Sequence, residues 1–297
     1  MASLREMRLR IRSVRNIAQV TRALQTVSAS KVRRAQAAVL ATRPYAAKAL
    51  EVLGHLAGRR NTIVHPMLTP RDPVRNILAI VVSGDRGLAG AYNANVVRRA
   101  LSRFGDSPAT VHYIVIGRKG REMLRRTGVP ITAEFSNLPP APSYADLSAI
   151  GRLAIEDYIE GKADEVHVVF TQFASLMHQQ AAVQQLLPLS GLAAPAEEAT
   201  GGPKPVYLFE PGQTELLDTA INRLVSIEIY ESILESLASE HAARMVTMRN
   251  ATENANELIG GLQLDYNKAR QESITGDLLD IAAGTEALAA QGAGRVG

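Results

Sequence analysis

Cysteine is absent from this 297-residue sequence. That absence excludes a disulfide framework, a thiolate metal site and a thiol-based redox switch. The six histidines do not compensate for it, because no two of them stand three or four residues apart, the spacing at which two side chains of one helix can bind a metal ion. We therefore expect neither a metal site nor thiol chemistry in this protein.

The sequence also lacks long hydrophobic runs. No run of about 18 uncharged apolar residues occurs, so we expect no membrane-spanning helix. The basic segment 1–20 has neither the apolar core nor the cleavage site of a secretory signal. It shares its arginine-rich, amphipathic character with mitochondrial transit peptides, but the same pattern continues past residue 40, further than a removable leader needs. We expect a mature chain that faces the cytoplasm.

Glycine and proline are scarce at both ends of the chain. Residues 1–53 contain no glycine and one proline, and residues 213–259 contain neither. Such segments favour helices longer than those of ordinary globular domains, which must pack on each other or on partners. Apolar residues recur in both at spacings of three and four, the pattern of a coiled-coil seam. The first predicted seam consists of Leu4, Met7, Ile11, Val14, Ile17, Val20 or Thr21, Leu24 and Val27. The second consists of Ile227, Tyr230, Leu234, Leu237, Met248, Ala251, Ala255, Leu258 and Leu262, interrupted by the polar His241 and Arg244.

Each end also has little charge of one sign. Residues 1–60 carry 13 Lys and Arg against 2 Asp and Glu, whereas residues 205–297 carry 6 against 14. The resulting net charges of +11 and −8 attract each other. A basic helix can also bind nucleic acid, but this one has only Tyr45 for stacking on bases. The acidic segment that complements its charge lies in the same chain. We predict that the two ends pair as antiparallel helices.

The middle of the chain alternates between strand and helix patterns. The runs ILAIVVS at 77–83 and VHYIVIG at 111–117 predict buried strands with a helix between them. VPITAEF and DEVHVVFTQF predict two further strands, each preceded by a helix. HQQAAVQQLLPL predicts an antiparallel strand, although its periodicity also permits a helix. This alternation predicts a doubly wound, mostly parallel, Rossmann-like sheet.

Together these patterns predict an α/β protein in which the Rossmann-like domain is inserted into a long antiparallel coiled coil of the N- and C-terminal helices. The predicted segments are an N-terminal coiled-coil helix at 1–60, the Rossmann-like domain at 74–190, a linker rich in alanine, glycine and proline at 191–205, and a C-terminal coiled-coil helix at 206–297.

The segment SGDRGLAGAYNAN at 83–95 lies where a strand ends and a helix begins, the arrangement that cradles phosphate. Its glycines at 84, 87 and 90 do not have the G-x-G-x-x-G spacing of dinucleotide sites, and Asp85 would place a negative charge beside a phosphate. The second strand also ends without the acidic residue that binds a ribose. We predict no nucleotide site. Instead, Asp85 and Arg86 support the turn, and Gly87 adopts a backbone angle that other residues resist.

Motifs that would indicate an enzyme, such as G-x-S-x-G or H-E-x-x-H, are missing from the sequence. A non-catalytic protein without a cofactor is therefore predicted. Two other classes stay open at this point: a nucleotide-binding enzyme with helical arms, and a coiled-coil scaffold or nucleic-acid-binding module. Binding by such a module would depend on the +11 helix and weaken steeply with salt.

Three stretches together resemble the γ-subunit family of the rotary F-type ATP synthases of bacteria. They are IRSVRNIAQVTRALQTVSASKVRRAQ at 11–36, SGDRGLAGAYNAN at 83–95, and LASEHAARMVTMRNATENANELIGGLQLDYNKARQESIT at 237–275, with YLFEP upstream of the last. The resemblance covers nearly the whole chain in the same order. The sequence departs from the family at Ala89, where cysteine is common, and after SIT, where Gly276, Asp277 and Asp280 replace the usual Glu-Ile or Glu-Leu pairs.

The resemblance implies a function for the whole chain. Members of the family form the central rotor shaft, whose coiled coil turns inside a hexamer of alternating α and β subunits. Their α/β domain rests, with the ε subunit, on the ring of membrane c subunits. Protons, or sodium ions in some members, turn the ring, and the asymmetric shaft drives the β sites through open, loose and tight states. A peripheral, non-catalytic subunit at the cytoplasmic face of the bacterial plasma membrane is implied, without nucleic acid or a small-molecule substrate of its own.

The resemblance also implies roles for individual residues. The segment ARQESIT resembles the family's contact with a catch loop on β, which implicates Arg270, Gln271 and Thr275. A contact with the lever of the β C-terminal domain is implied for Leu24, Lys31, Arg33 and Arg34. The turn in the foot of the rotor would contain Asp85, Arg86 and Gly87. Contact with the membrane ring is implied for Tyr207 and Glu210 of YLFEP.

Overall fold

A computed structural model describes residues 3–57, 65–189 and 213–293, with side chains described for residues 3–42, 44, 48, 65–189 and 218–285. The helices are α1 (Leu4–Ala57), α2 (Tyr92–Phe104), α3 (Arg118–Arg126), α4 (Tyr144–Ile159) and α5 (Gln213–Ala293). The strands are β1 (Asn76–Val82), β2 (Thr110–Ile116), β3 (Ile131–Phe135), β4 (Glu165–Phe173) and β5 (Gln179–Leu187).

The five strands form one sheet in the order β3-β2-β1-β4-β5. Strands β1 to β4 are parallel, and β5 runs antiparallel to β4. Strand β1 is buried from Ile77 to Val82 because both of its faces are covered, and such a strand has a continuous apolar run rather than an alternating one. This sheet confirms the predicted mostly parallel topology, including the antiparallel strand at its end.

Two apolar cores cover the two faces of the sheet. On one face, α2 and α3 pack over residues such as Ala79 and Val81 of β1. On the other face, α4 and the part of α5 between Ile221 and Ile233 pack over residues such as Ile80. Successive side chains of a strand point to opposite faces, so β1 contributes to both cores. The sheet is therefore doubly wound, as predicted, and α5 is one of its covering helices.

Contacts divide the chain into two compact units. One combines residues 1–26 with 248–297, and the other comprises residues 27–247. Helices α1 and α5 each contribute to both units. These units group residues by their contacts, whereas the segments predicted above divide the chain by its sequence. The boundaries of those segments therefore stay a prediction. The predicted linker at 191–205 lies outside the described residues.

In the first unit, α1 and α5 pair as antiparallel helices. The hydroxyl oxygens of Thr21 and Thr252 are 2.7 Å apart in the buried seam. Nearer the start of α1, Nε of Arg8 donates to the hydroxyl of Tyr266 at 2.7 Å, and the guanidinium lies over the Tyr266 ring. Residues earlier in α1 thus contact residues later in α5. This order confirms the predicted antiparallel pairing.

After Val14 the seam of α1 agrees with the prediction at Thr21, which was the alternative to Val20, and differs from it at Ile17 and Val27. Ile17, Val20 and Val27 are exposed over 52%, 58% and 53% of their surface. The buried residues that continue the spacing of three and four are Ala18, Thr21, Ser28 and Val32. At Ile17 and Val27 the prediction selected the more apolar of two adjacent side chains, whereas small side chains occupy most of the buried positions and let the helices approach closely. Leu258 of the second predicted seam is exposed as well.

Candidate functional site

The loop between β1 and α2 lies at the carboxyl edge of the parallel strands, where sheets of this architecture bind ligands. Its backbone is held by side chains of the protein. The N–H of Gly84 donates to Oδ1 of Asn93 at 2.8 Å. Oγ of Ser83 donates to the carbonyl of Ile116 at 2.8 Å and accepts from the N–H of Gly120 at 2.9 Å. These two N–H groups are thus used inside the protein rather than offered to a ligand.

Asp85 joins the turn to two neighbouring loops. Its Oδ1 accepts from the N–H of Arg118 at 3.0 Å, and its Oδ2 accepts from the N–H of Asn137 at 2.8 Å. Arg86 is exposed. The prediction for Gly87 is wrong, because the positive φ angles of this loop belong to Leu88, at 63°, and to Gly90, at 58°.

Helix α5 fills the crevice beside this loop. The N–H of Thr171, near the end of β4, donates to Oγ of Ser236 at 3.0 Å, and the carbonyl of Thr171 accepts from Oγ of Ser239 at 3.0 Å. Glu240 lies so close to Gly84 that a Cβ at Gly84 would stand 2.8 Å from the carboxyl carbon. The strand order reverses between β1 and β4, and a nucleotide would bind there in this architecture. The protein's own helix occupies that position.

A buried ion pair fastens α5 to the loop. Nη2 of Arg244 lies 2.5 Å from Oε1 of Glu240, and the same guanidinium donates from Nε and Nη2 to the carbonyl of Gly87 at 3.3 and 3.2 Å. Gly87 therefore serves as an acceptor. The sequence pattern showed Arg244 only as an interruption of a seam. No local signal points to a partner 157 residues away.

Burial controls the protonation of the neighbouring groups. Burial, followed by the negative charge of Glu240, raises the pKa of the Tyr92 hydroxyl above its ordinary value. Burial also lowers the pKa of His241 to about 4, and the positive charges of Arg244 and then Lys31 add to this effect. Tyr92 and His241 are therefore uncharged at neutral pH.

The residues implied in contact with the β lever do not share one environment. Arg33 and Arg34 are exposed, whereas Leu24 and Lys31 are half-buried. Lys31 lines a cleft together with the loop after β1, and its charge acts on His241. Of these four side chains, the two arginines are therefore the most available to a partner.

The residues implied in contact with the β catch loop are all exposed. Arg270, Gln271 and Thr275 lie in a stretch of α5, from 270 to 285, in which Gly276 alone is not exposed. Leu278, Leu279 and Ile281 of the same stretch are exposed over 62%, 65% and 65% of their surface. No described part of the chain covers this apolar surface.

Tyr207 and Glu210, implied at the membrane ring, lie outside the described residues. Within the described ranges, no group of three or more histidine, aspartate and glutamate side chains is placed to hold a metal ion. None of the helices described here is both long and apolar enough to cross a membrane.

Comparison with known proteins shows which proteins this chain is similar to. The family model of ATP synthase matches residues 3–288. The ATP synthase gamma chain of Roseiflexus castenholzii is 45% identical over 97% of this chain and 99% of its own length. That of Dehalococcoides mccartyi is 44% identical over 97% of this chain and all of its own. Among solved structures, a chain of the Euglena gracilis mitochondrial ATP synthase has a TM-score of 0.68 at 21% identity, covering 96% of this chain and 94% of that one.

Proposed function

This chain belongs to the ATP synthase gamma-chain family, and we propose from its geometry which surfaces transmit torque. It is the central rotor shaft of ATP synthase and a non-catalytic subunit. It couples ion-driven rotation of the membrane c ring to ATP synthesis or hydrolysis on the β subunits, and its partners are the α and β subunits, the ε subunit and the c ring. It is peripheral to the membrane. The cytoplasmic face of a bacterial plasma membrane is the side that we propose.

The exposed end of α5 carries this proposal. Ile274, Leu278 and Ile281 recur at spacings of four and three and therefore form one apolar stripe, with Leu279 beside it. Covering such a surface removes apolar area from water, which stabilises an assembly by about 25 cal/mol per Å². An enclosing collar of subunits provides that cover without requiring one fixed orientation. We place this end of the helix inside the αβ hexamer, where it turns.

Arg270 and Gln271 are the residues that we propose for contact with the β catch loop, together with Thr275. All three are exposed on α5; Arg270 and Gln271 precede the apolar stripe, and Thr275 follows its first residue, Ile274. The guanidinium of Arg270 offers a forked set of donors, so a carboxylate on the β loop would form a charge-assisted pair with it. Contacts of this kind alter a barrier only if they differ between rotary positions. The asymmetry of the shaft provides that difference.

Arg33 and Arg34 are the most accessible of the residues that we propose for the β lever. They lie on the exposed side of α1, as does Val27. Ile17 and Val27, which the sequence predicted for the seam, are exposed in the structure, as is Val20. They therefore add exposed apolar surface to the basic side of α1. Leu24 and Lys31 keep their proposed role at the edge of this surface. Tyr207 and Glu210 stay proposed for the c ring, and the Asp85 turn for the foot.

An assay of the reconstituted complex tests the catch-loop contact. In the αβ hexamer assembled with this chain, the double variant Arg270→Ala/Gln271→Ala should change steady-state ATP hydrolysis severalfold or more, because each lost hydrogen bond to a charged group removes about 1.5–3 kcal/mol. Incorporation of the chain should survive, since the apolar surface is intact. The matched control is Lys268→Ala, which removes an exposed cation of the same helix outside the proposed contact. Equal rates for both variants at full incorporation would show that Arg270 and Gln271 are mere surface residues.

Calorimetry on the isolated chain tests its non-catalytic role. The crevice at the end of β1 is filled by Ser236, Ser239 and Glu240 of α5, so tight binding of ATP is not expected. Micromolar binding of ATP, or hydrolysis by the isolated chain, would contradict the rotor function and favour a nucleotide-binding enzyme.

A further inference from the structure

A cleft of about 300 Å³ lies between α1 and the carboxyl edge of the sheet, next to the filled crevice. Its wall includes Lys31 from α1, Arg86 and Asp85 from the loop after β1, and His241 and Glu240 from α5. This volume is at the lower end of the range in which proteins bind small molecules. Lys31 is also proposed for the β lever and Asp85 and Arg86 for the foot turn, but neither role accounts for a cleft between them.

The carboxylates of the cleft are already bound by donors of the protein. Both oxygens of Asp85 accept backbone N–H groups, and the guanidinium of Arg118 lies 3.7 Å from Oδ1. Oε1 of Glu240 is held by Arg244. Lys31 and Arg86, by contrast, form no ion pair within the described part of the chain. The cleft therefore has a surplus of positive charge.

His241 adds a neutral donor to this surplus. Its side chain is 7% exposed, and its Nδ1 accepts from Nη1 of Arg244 at 3.4 Å, which places the proton of the neutral ring on Nε2. Burial and the charges of Arg244 and Lys31 keep the pKa of His241 near 4, so the ring is neutral at physiological pH. Two unpaired cations and one neutral N–H donor in a partly buried cleft form a suitable set of partners for a small anion with several acceptor oxygens.

We propose that this cleft binds a small oxyanion of the phosphate class, held by Lys31 and Arg86 and by the N–H of His241. The side chains, and not the glycine loop, hold the ligand, since the N–H of Gly84 is already bonded to Asn93. A bound anion joins α1 to the loop after β1. This site goes beyond the rotor function and does not depend on it.

Binding of inorganic phosphate to the full chain tests the site, at constant ionic strength with chloride as the balancing anion. Calorimetry should show saturable binding with one phosphate per chain. Lys31→Ala and Arg86→Ala should each weaken it about tenfold or more, because each removes a charged hydrogen-bond donor. Lys119→Ala is the matched control, since Lys119 is a cation of α3 that is paired with Glu122 and lies outside the cleft. Its affinity should equal that of the wild type.

Two further arms make the result decisive. The titration is repeated with glycerol 3-phosphate, which has the chemistry of a lipid headgroup. Tighter binding of glycerol 3-phosphate than of inorganic phosphate indicates a lipid headgroup as the ligand, and the reverse indicates the free anion. Nuclear magnetic resonance of the wild-type His241 ring needs no variant: bound phosphate should raise the pKa of His241, because the anion offsets the charges of Lys31 and Arg244. Absence of saturable binding, equal binding by all three variants, or a His241 pKa that does not respond to phosphate would each overturn the proposal.

Discussion

Helix α5 lies in two different environments in the two units of the chain. In the unit of residues 27–247 it packs on the sheet. Ser236 and Ser239 bind it to the backbone of Thr171 near the end of β4, and Arg244 binds it to the carbonyl of Gly87. In the other unit it pairs with α1 through a narrow seam in which Thr252 and Tyr266 make isolated polar contacts. The first environment is rich in directional hydrogen bonds, and the second depends mainly on small side chains.

This difference suits a rotor. Buried hydrogen bonds favour a single arrangement, because slippage leaves a donor or acceptor unpaired. An α/β domain that receives torque needs such a fastening. The pairing of α5 with α1 lacks such a fastening, because Thr252 and Tyr266 make isolated polar contacts there. The comparison therefore predicts that substitutions lower the free energy of unfolding strongly where α5 meets the sheet and only slightly where α5 pairs with α1.

The largest expected effect on stability distinguishes two glycines near the contact between α5 and the sheet, Gly117 and Gly87. A Cβ at Gly117 would lie 2.3 Å from the carbonyl oxygen of Ser83, and φ of Gly117 is +94°, whereas a Cβ at Gly87 would meet no atom within 4 Å. We expect Gly117→Ala to prevent stable folding, since the φ angle alone costs a side chain about 1–3 kcal/mol and the clash is with backbone. Gly87→Ala should stay within about 0.5 kcal/mol of wild type. Thermal unfolding followed by circular dichroism measures both, and similar melting temperatures would contradict the geometry.

The next effect compares two arginine–glutamate pairs on α5. Arg244 pairs with Glu240 in a buried position, and Arg249 pairs with Glu253 at the surface. Arg244→Ala should reduce the free energy of unfolding by about 3–5 kcal/mol, because it leaves the Glu240 charge buried and unpaired. Arg249→Ala should cost about 0–1 kcal/mol, because water screens that pair. Urea denaturation of both variants checks this, and equal losses would show that α5 is not fastened at Arg244.

A pH-dependent effect tests the burial of α5 against the sheet at Glu228. Burial, followed by the charge of Glu231, raises the pKa of Glu228 from 4.5 to about 7. The folded state holds this proton more tightly than the unfolded chain, so its stabilising contribution is complete below pH 4.5 and is lost as pH rises through about 7. Glu228→Gln should therefore gain up to about 3 kcal/mol over wild type between acidic and mildly alkaline pH. The exposed Glu257 supplies the control Glu257→Gln, and the same pH profile for both variants would contradict the prediction.

The smallest effect concerns the polar pair in the lightly held seam. Thr252→Val should cost about 1 kcal/mol, because it leaves the Thr21 hydroxyl without its partner across the helices. Thr21→Val/Thr252→Val together should recover most of that loss, since two apolar groups of the same shape can replace a hydrogen-bonded pair. A double-mutant cycle from urea denaturation measures the coupling. A coupling of about 3–5 kcal/mol, as large as the loss expected for Arg244→Ala, would remove the contrast between the two regions.

The sequence by itself determined the class of fold and the pairing of the ends. Continuous apolar runs such as ILAIVV predict strands that are covered on both faces, and their alternation with helices leaves few topologies open. Glycine-free, proline-poor ends with a spacing of three and four residues predict long helices that need a partner. Their opposite net charges predict that each end is the partner of the other. These properties are local or additive, so they can be read without knowing where any residue lies.

Only the tertiary structure decided which face of each helix is buried and what holds α5 to the sheet. Ile17 and Val27 are exposed while Ala18 and Ser28 are buried, because the approach of a second helix selects small side chains, and hydrophobicity does not report that selection. Arg244 finds the Gly87 carbonyl 157 residues away, and the chain between them must fold before the two meet. A hydrogen bond of this kind depends on atomic positions set by the whole sheet, and no pattern near either residue encodes it.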